Sequence, residues 1–383
     1  MELQKKIYYI ANARIPTEKA HGIQLAKMCE AFVRQGIELE LVVPNRATSL
    51  TTIHDFYGLQ TLITVHKLWV LDWYSSGRGG FFIGSLGFAI GYFCYLLSKR
   101  IRGEKFIIYT SDIDQFSFFL IPFIGMPYFA EIHDAKSKRA PFMLLFHFAA
   151  GIITINNIIK KELCATFGIE PQKIIVRPNG IDMSMFSSLP DKTDARKALQ
   201  LPLDRIIILY VGKFYEWKGF DVAISAACSV DQGIDFYFVG GTKDELMKVS
   251  GIRDMPVSFF CMGHRAFTEI PLWLAAADFC LVLGTKRNEY SYLHTSPMKF
   301  FEYMASNRPI IASRTPANME IISAAEVLTY EPDDAKDLAE KIHYALEHRD
   351  DMNERAMRAR IKVEDFSWGL RSKSIIEFMA QNV

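Results

Sequence analysis

The sequence predicts an α/β fold made of two Rossmann-like domains, each built on a parallel sheet. Short apolar runs alternate with helical stretches along the chain, which is the pattern of strands joined by crossover helices. This series stops at the polar, proline-containing stretch "SSLPDKTDARKALQLPLD", and a second series of the same kind follows. The chain of 383 residues is also long enough for two domains of ordinary size, joined near residues 183–204.

The first series supplies the elements of the amino-terminal domain. "KIYYI" (6–10) is a predicted strand, and an apolar face then recurs at helical spacing from Leu25 until the chain reaches Gly36. Residues 37–43 alternate between apolar and acidic side chains, as in a strand with one wetter face. Further strands are predicted at "LITVHKLWVL", "FIIYT" (106–110), "YFAEI" (128–132) and "IITI" (152–155).

The second series has the same organisation and ends in a helical tail. Its strands are expected at "IIILYVG", "DFYFVGG", "VSFFCMG", "DFCLVLG", "RPIIAS" and "EVLTYE". The tail is expected to form helices at "AKDLAEKIHYALE", "MNERAMRARIKVE" and "LRSKSIIEFMAQ".

The charge balance argues against a nucleic acid partner. The chain has 44 lysines and arginines against 43 aspartates and glutamates, a net charge of +1, and no basic run interleaved with aromatics. The six cysteines show no CxxC spacing and no clustering with histidine, so the sequence predicts neither a disulfide framework nor a metal site. They are interpreted as reduced core residues of a cytoplasmic protein, and "MELQKKIYYI" as a first strand rather than a signal peptide.

One uncharged segment leaves three interpretations open. Residues 79–98 carry no charge, Lys99 and Arg100 follow at once, and the segment is long enough to span a bilayer. It lies between two predicted strands, which favours a helix on the face of a sheet. Its glycines at 80, 84, 87 and 91 also suit close helix packing. The flanking Trp69, Trp73 and Tyr74 keep a monotopic membrane contact open, and a true span is the third alternative.

The loop "YVGKFYEWKGF" (210–220) is a candidate site for a diphosphate. In open α/β sheets ligands bind beyond the carboxyl ends of the strands, often at helix amino termini. This loop leaves a predicted strand, turns at Gly212, and offers Lys213 and Lys218 before the next helix. Two ammonium groups on one such loop can neutralise a diphosphate, although exposed loop lysines with no ligand are the simpler alternative.

The helix in "HTSPMKFFEYMASNRPIIAS" carries the second half of this site. Ser296 and Pro297 suit the helix start, yet Lys299 puts a cation in the first turn, where the helix dipole favours acidic residues. A phosphate at the helix mouth would explain that cation, and Glu302 could then accept hydrogen bonds from a ribose. The alternative is an ion pair between Lys299 and Glu302 three positions apart.

At this point the residues resemble the retaining, nucleotide-sugar-dependent glycosyltransferases of family 4, which have the two-domain GT-B fold. "VGKFYEWKGFDVAISA" is similar to that family's Gly-Arg/Lys…Lys-Gly diphosphate loop. "SPMKFFEYMASNRPIIAS" is similar to its longer signature Ser-Pro-x-Lys-x-x-Glu-Tyr-Met-Ala-x-Gly-x-Pro. Other similar segments are "RPNGID" (177–182), "EIHD" (131–134), "TINNIIKKEL", "FSW" and "RIPTEKAHGIQLAKMCEAF", so only about 45–105 carries nothing diagnostic.

The resemblance implies a fold with two parallel sheets facing an interdomain cleft. It implies an acceptor-binding domain at 1–185 and a nucleotide-sugar-binding domain at 186–365. The last helix, about 366–383, is expected to pack back on the first domain.

The resemblance also implies roles for single residues. His133, Lys213 and Lys218 would be catalytic, His133 by positioning the transferred sugar and the lysines by stabilising the leaving diphosphate. Gly22 would let the first helix approach the phosphates or the acceptor. The remaining residues expected to bind the nucleotide sugar are His294, Ser296, Pro297, Lys299 and Glu302.

The sequence departs from the family's pattern at several places, one of which is a first loop with one glycine instead of a pair. His294 stands where the family has a first glutamate that contacts the donor sugar, so sugar recognition is expected to differ. Asn307 replaces the usual glycine after the helix, and asparagine is the next-best residue for a left-handed cap. Where many relatives have an arginine after the fourth strand, this chain has Ser111 and Asp112.

The function implied is sugar transfer from a nucleoside-diphosphate sugar to a glycan or lipid-linked glycan, with retention, in surface polysaccharide or lipopolysaccharide synthesis. No metal and no cofactor would be needed, because lysines and a helix mouth neutralise the leaving phosphate. The setting would be the cytoplasm or the inner face of the cell membrane. Two alternatives stay open: a non-catalytic subunit that binds nucleotide sugars, and a GT-B-type sugar-nucleotide epimerase.

Overall fold

The computed structural model of the protein describes most of the chain. The described residues are 6–17, 19–46, 52–70, 77–296 and 298–383. The sequence-based expectations for Trp73, Tyr74 and Pro297 lie outside these ranges.

The chain divides into two compact units. The first comprises the described residues up to Asn179 together with Trp368–Val383, and the second comprises Gly180–Ser367. The first unit therefore gives way to the second between residues 179 and 180, a few residues before the boundary expected between 185 and 186.

The first unit contains, within the described residues, seven strands. They are β1 (Lys6–Ile10), β2 (Glu38–Pro44), β3 (Thr64–Leu68), β4 (Ile107–Ser111), β5 (Tyr128–Ile132), β6 (Gly151–Thr154) and β7 (Ile174–Val176). They form one parallel sheet in the order β3-β2-β1-β4-β5-β6-β7. Residues 7–10 of β1 are fully buried, as expected for a parallel sheet covered on both faces.

Helices cover both faces of this sheet. In the first 179 residues, where described, they are α1 (Ala20–Arg34), α2 (Ile53–Tyr57), α3 (Gly77–Ile101), α4 (Ala140–Phe148) and α5 (Asn157–Phe167).

The second unit has its own parallel sheet of six strands in the described chain. They are β8 (Ile206–Val211), β9 (Ile234–Val239), β10 (Phe259–Cys261), β11 (Phe279–Val282), β12 (Ile310–Ser313) and β13 (Leu328–Tyr330). Their order is β10-β9-β8-β11-β12-β13. Two parallel-sheet, Rossmann-like units confirm the predicted fold class.

Its helices are α6 (Lys192–Ala198), α7 (Phe220–Ala227), α8 (Lys243–Ser250), α9 (Ile270–Ala276), α10 (Met298–Ala305), α11 (Pro316–Met319), α12 (Ala335–Glu347) and α13 (Arg349–Lys362). Side-chain caps fix where several begin. Thr242 and Glu245 form a reciprocal capping box on α8, and Asp334 accepts from the Asp337 amide on α12.

The final helix, α14 (Trp368–Gln381), belongs to the first unit. It packs against α1 and β6, and the Phe378 ring lies against Gly151 and Phe129. Arg371, which is 4% exposed, donates to the buried carboxylate of Glu131 at 2.7 Å. The first unit is therefore assembled from two distant stretches of sequence.

Each sheet reverses its direction of growth at one place. In the first unit the chain adds β2 and β3 on one side of β1 and β4 to β7 on the other; in the second, β9 and β10 flank β8 on one side and β11 to β13 on the other. Such switch points leave a crevice at the carboxyl ends of the two strands, which is where open α/β sheets bind ligands.

The uncharged segment 79–98 forms most of α3 and lies on the sheet face, as favoured from the sequence. Phe88, Tyr92 and Leu96 recur every four residues and are fully buried in the core of the first unit. The opposite face is apolar too, with Ile90 51% exposed. Within the described residues α3 is one helix that is long and apolar enough to cross a membrane.

Two details concern the predicted strands and cysteines. The strand β7 was missed, because its three residues stand in a short apolar run among polar neighbours.

All six cysteines are free thiols, but the prediction that they are all core residues is wrong, because Cys94 and Cys228 are exposed.

Candidate functional site

The candidate site of the second unit lies at its switch point, between β8 and β11. The loop after β8 carries Lys213 and Lys218, and the segment after β11 leads into α10 with Lys299 and Glu302. Because β8 and β11 are neighbours, these two connections meet at the carboxyl edge of the sheet.

Glycines let the two connections approach closely. Gly212 has φ +134°, and a Cβ atom there would lie 2.8 Å from Nζ of Lys299. Gly240 has φ +124°, and its Cβ would lie 2.6 Å from the carbonyl oxygen of Gly212. Side chains at these positions would be strained and would displace the lysine, so the loop can form only with glycine.

Helix α10 is fixed to the end of β8 by a tyrosine. The backbone N–H of Val211 donates to the hydroxyl of Tyr303 at 2.7 Å, and both groups are buried. The ammonium of Lys299 lies 3.8 Å from the ring centre of Tyr210, on the same strand end. The predicted left-handed residue after the helix is confirmed, since Asn307 has φ +55°.

Lys218 is a buried cation with no counter-ion. Its side chain is 7% exposed and its ammonium lies 4.0 Å from the ring centre of Trp217. Among the described residues it makes no hydrogen bond and no ion pair. Burial lowers its pKa to about 7.

Burial also disfavours the charged form of Lys299. Burial, and then the positive charge of Lys218, lower its pKa well below the ordinary value, while Glu302 opposes the shift. Two unpaired ammonium groups close together in a dry environment are unfavourable on their own. They become favourable when an anion lies between or beside them.

Glu302 is equally buried, at 7% exposure, and burial raises its pKa to about 7 against the opposing charge of Lys299. No ion pair joins Lys299 to Glu302 in the described structure, so the alternative of a simple surface ion pair is wrong. A carboxyl group held in this way is suited to accepting hydrogen bonds from a ligand.

Lys213 does not belong to this buried pair. Its side chain is exposed, its ammonium lies 5.8 Å from the ring centre of Tyr215, and its charge acts on Glu245. Of the three lysines expected to converge, Lys218 and Lys299 lie buried near each other, whereas Lys213 lies exposed on the loop.

The segment before α10 is buried. His294 is 3% exposed and ends a five-residue π-helical turn, Tyr290–His294, and Ser296 is 7% exposed. Pro297 lies outside the described residues, so the helix mouth that was expected at Ser296-Pro297 stays a prediction.

In the first unit, His133 follows β5 and its ring lies between two carboxylates, Asp112 and Glu131. It is therefore not a histidine that merely caps its strand through the backbone. Gly22 packs against Tyr57, whose hydroxyl would lie 2.3 Å from an added Cβ atom. This contact explains the glycine without a ligand, and its approach to phosphates stays a prediction.

A second cluster of cations in the second unit has a different character. At the amino ends of β11 and β12 a concavity is lined by Asp278 and several basic residues. Asp278 accepts from Lys192 at 2.7 Å and from Arg196 at 2.5 Å. Burial would raise the pKa of Asp278, but these partners and the Ile207 amide hold it low. Lys192 and Arg196 are thus each paired with this carboxylate, whereas Lys218 and Lys299 have no such pairing among the described residues.

Aromatic residues of the site were missed from the sequence. Tyr210, Trp217 and Tyr303 position the two lysines and the helix, yet each reads as an ordinary apolar residue in its run. The available signals were the adjacency of Trp217 to Lys218 and the match of Tyr303 to the tyrosine of the family signature.

The fold defines a two-domain α/β protein built of Rossmann-like units, and its likeness to known proteins can now be compared. Residues 205–348 match the family described as glycosyl transferases group 1. This match lies within the second unit.

Curated relatives match over short stretches. The D-inositol 3-phosphate glycosyltransferase of Kineococcus radiotolerans is 30% identical over 79 residues, which cover 21% of this chain and 18% of that protein. The protein of the same name from Mycobacterium bovis is 23% identical over 160 residues, covering 40% and 32%. The matches thus span less than a third of either relative.

Solved structures match nearly the whole chain in fold. A glycosyltransferase of Rickettsia africae ESF-5 has a TM-score of 0.76 at 15% identity, covering 99% of this chain and 98% of its own. Anabaena HepE, solved with UDP and glucose, gives 0.74 at 16%, covering 98% and 100%. The lipopolysaccharide outer core galactosyltransferase WaaB gives 0.67 at 14%, covering 99% and 100%. The two Rossmann-like units thus match the GT-B type of fold.

Proposed function

We propose that this protein is a retaining glycosyltransferase whose second unit binds a nucleoside-diphosphate sugar. The observation that carries the proposal is the buried pair Lys218 and Lys299, which forms no ion pair with any described residue and stands at a switch point. Support comes from the family match over residues 205–348 and from the UDP complex of HepE, a structure of the same fold.

The proposed chemistry rests on charge. Lys218 and Lys299 would stabilise the negative charge that develops on the diphosphate as the glycosidic bond breaks, and Glu302 would accept hydrogen bonds from the ribose. A bound diphosphate raises the pKa of both lysines, so the site becomes fully charged when it is filled. Two ammonium groups can supply the neutralisation that other enzymes obtain from a metal ion, which makes a metal-independent, cofactor-free reaction part of the proposal.

Binding of UDP tests the donor site directly. Calorimetry should give saturable binding to the wild-type protein and a loss of at least about tenfold in affinity for Lys218→Met, because a desolvated charge pair is removed. Lys336→Met is the matched control, since Lys336 is an exposed lysine of the same unit. Equal affinities for the two variants would contradict the site.

Turnover separates the proposal from its two alternatives. Transfer of sugar from a nucleotide sugar to an added glycoside supports the transferase. Nucleotide binding without turnover, lost in Lys218→Met, would instead assign a binding subunit, and interconversion of free nucleotide sugars without acceptor would assign an epimerase. Retention is tested by the anomeric configuration of the product in its proton NMR spectrum.

The proposed acceptor is a glycan or lipid-linked glycan, in surface polysaccharide or lipopolysaccharide synthesis at the cytoplasmic side of a membrane. Support comes from an apolar surface on three neighbouring elements of the first unit. Ile90 of α3, Phe123 of the turn Ile121–Ile124 and Phe148 of α4 are 51%, 59% and 59% exposed, and the turn contacts both helices. Soluble helices normally turn a polar face outward.

The charges near this surface indicate an anionic lipid surface as its occupant. No aspartate or glutamate occurs in residues 73–103 or 135–161. The same stretches carry several cations, among them Lys99, Arg100 and Arg139. Basic residues beside exposed apolar side chains are the usual combination of a monotopic contact.

Vesicle sedimentation tests this contact. The protein should bind vesicles containing phosphatidylglycerol, bind pure phosphatidylcholine several-fold less, and release with added salt. Ile90→Asp should weaken binding several-fold, whereas Ile361→Asp, at an exposed isoleucine of the second unit, should not. Equal binding of the two variants to vesicles overturns the contact. If the protein is instead a dimer in free solution, and only Ile90→Asp makes it monomeric, the surface is assigned to a second copy of the chain.

A further inference from the structure

The first unit has an unassigned polar cluster at its own switch point. His21 lies in the first turn of α1, which follows β1; Asp112 follows β4, and His133 follows β5. The strands β1, β4 and β5 are consecutive in the sheet, so these side chains meet at its carboxyl edge.

His133 is held as a cation by geometry. Its Nδ1 lies 3.0 Å from a carboxylate oxygen of Asp112, and its Nε2 lies 2.6 Å from a carboxylate oxygen of Glu131. A carboxylate accepts but does not donate, so both ring nitrogens must carry hydrogen. Burial would lower the pKa of His133, but Asp112 and Glu131 raise it to about 10. Both N–H groups are thereby occupied.

Glu131 is fixed from behind by three other elements. It is fully buried and accepts hydrogen bonds from Gln24 of α1 and Arg371 of α14, both at 2.7 Å, and from the hydroxyl of Tyr109 of β4. Since every one of these donors is buried in the first unit, Glu131 is a rigid support for the ring of His133.

Asp112 is the exposed end of this chain of contacts. Its side chain is 46% exposed, and its backbone adopts φ +52°, which few residues other than glycine, asparagine and aspartate tolerate. Burial opposes its ionisation, but the charge and hydrogen bond of His133 hold the pKa of Asp112 below its usual value. The result is an oriented, ionised carboxylate with acceptor capacity left over.

His21 adds a second polar group with free hydrogen-bonding capacity. Burial, together with the charges of Lys19 and His133, lowers its pKa, while Asp112 opposes the shift, so the neutral ring is favoured. Its ring makes no hydrogen bond within the described residues. A neutral imidazole can donate from one nitrogen and accept at the other.

The charges of the cluster nearly cancel. Asp112 and Glu131 balance His133 and Arg371, and Lys136 of the following loop is paired with Asp134. The titratable groups that act on the cluster from the surrounding elements are Tyr9, Lys19, His21, Tyr109, Asp112, Glu131, Lys136 and Arg371. A locally neutral site with a strong acceptor suits hydroxyl groups better than phosphate.

We propose that Asp112 and His21 bind vicinal hydroxyl groups of an uncharged polyol or sugar, and that His133 is the positioning residue that orients Asp112. On the proposed function, this is the site where the first unit recognises hydroxyls of the acceptor. Asp112 stands where many relatives have an arginine. His133 would hold Asp112 in place instead of contacting the transferred sugar, the role that the resemblance implied.

Nitrogen NMR of the histidine rings tests both parts. The probes are methyl α-glucoside, methyl α-galactoside, methyl α-mannoside and myo-inositol. At least one should shift the His21 and His133 signals saturably in the wild-type protein, and Asp112→Asn should weaken that probe at least about fivefold, a charged acceptor being replaced by a neutral one. Asparagine tolerates the left-handed backbone, so the fold is retained, and an unchanged melting temperature checks this.

The positioning role has a separate readout. His133 should stay doubly protonated from pH 6 to 8.5 in the wild-type protein and should titrate at lower pH in Asp112→Asn. A neutral His133 ring at pH 7.5, or no saturable shift with any of the four probes, overturns the proposal. UDP binding to the same samples is measured independently. If UDP does not bind but a polyol probe still shifts the histidine signals, the proposed function is contradicted and this inference is not.

Discussion

Lys218 shows how a single buried charge can be disadvantageous to the folded protein and useful to its ligand. Its folded pKa of about 7 is below the ordinary 10.5, because burial disfavours the ammonium. A depressed pKa means that this group's contribution to stability is present above the ordinary pKa and is lost as the pH falls through the folded one. Near and below pH 7 the unliganded protein therefore carries an unfavourable charge.

Replacing Lys218 by methionine should consequently stabilise the protein while removing UDP binding. We expect a melting temperature higher by about 2–4 °C at pH 6–7, corresponding to about 1 kcal/mol, and no gain above pH 10.5. Thermal unfolding followed by circular dichroism across this range measures it. Lys336→Met should change neither quantity, and a lower melting temperature for Lys218→Met would contradict the assignment of an unpartnered charge.

Glu302 shows the opposite pH dependence. Its pKa is raised by burial from 4.5 to about 7, so its contribution to stability is complete below pH 4.5 and is lost as the pH rises through 7. Glu302 and Lys218 therefore both disfavour the empty site near neutral pH. Unpaired groups of this kind concentrate at functional sites.

At the scale of elements, α10 and β8 act as one body because of the bond between the Tyr303 hydroxyl and the Val211 amide. Lys299 is carried on that helix, beside Gly212, so the position of the ammonium depends on a contact one turn away. On the proposed function, the tyrosine would support donor binding by positioning Lys299 rather than by contacting the nucleotide.

Tyr303→Phe should lower both stability and affinity. The buried Val211 N–H would lose its partner, which costs about 1–3 kcal/mol, and UDP affinity should fall several-fold as α10 loosens. Chemical denaturation and calorimetry measure the two effects. Tyr344→Phe, which removes a long 3.4 Å bond to Asp351 at a partly buried position in the same unit, should change each far less.

The elements themselves were largely predictable, because apolar runs and helical spacing reflect burial that every Rossmann-like sheet requires. The strand β1 and the helix α12 coincide with the predicted segments, whereas β7 was too short to show a pattern. The lysines of the site were found because a cation at a helix start is unusual. The contacts of Tyr303 and Glu131 were not predicted, although both residues lie in segments similar to the family's, because these contacts join residues 92 and 240 positions apart.

At the scale of the molecule, the buried pair of Arg371 and Glu131 joins α14 to the sheet of the first unit. Both side chains are almost fully buried, and burial alone would lower the pKa of Arg371 and raise that of Glu131; each partner reverses the shift of the other. A buried pair adds little net stability, but breaking it leaves an uncompensated charge.

Arg371→Met should therefore destabilise the protein by about 3–5 kcal/mol, seen as a lower midpoint in urea. Adding Glu131→Gln should recover part of the loss, since the orphaned carboxylate is removed. A double variant less stable than the single one would show that Arg371 acts through its contacts with Met28 and the Pro178 carbonyl rather than through charge.

The placement of α14 also sets an order of events during synthesis. The residues of the second unit leave the ribosome before Trp368–Val383 do, so that unit can finish folding while the first still lacks a helix and the partner of Glu131. A transcript interrupted near residue 367 would yield a complete second unit attached to an incomplete first one, with the surface that normally receives α14 open to chaperones and proteases.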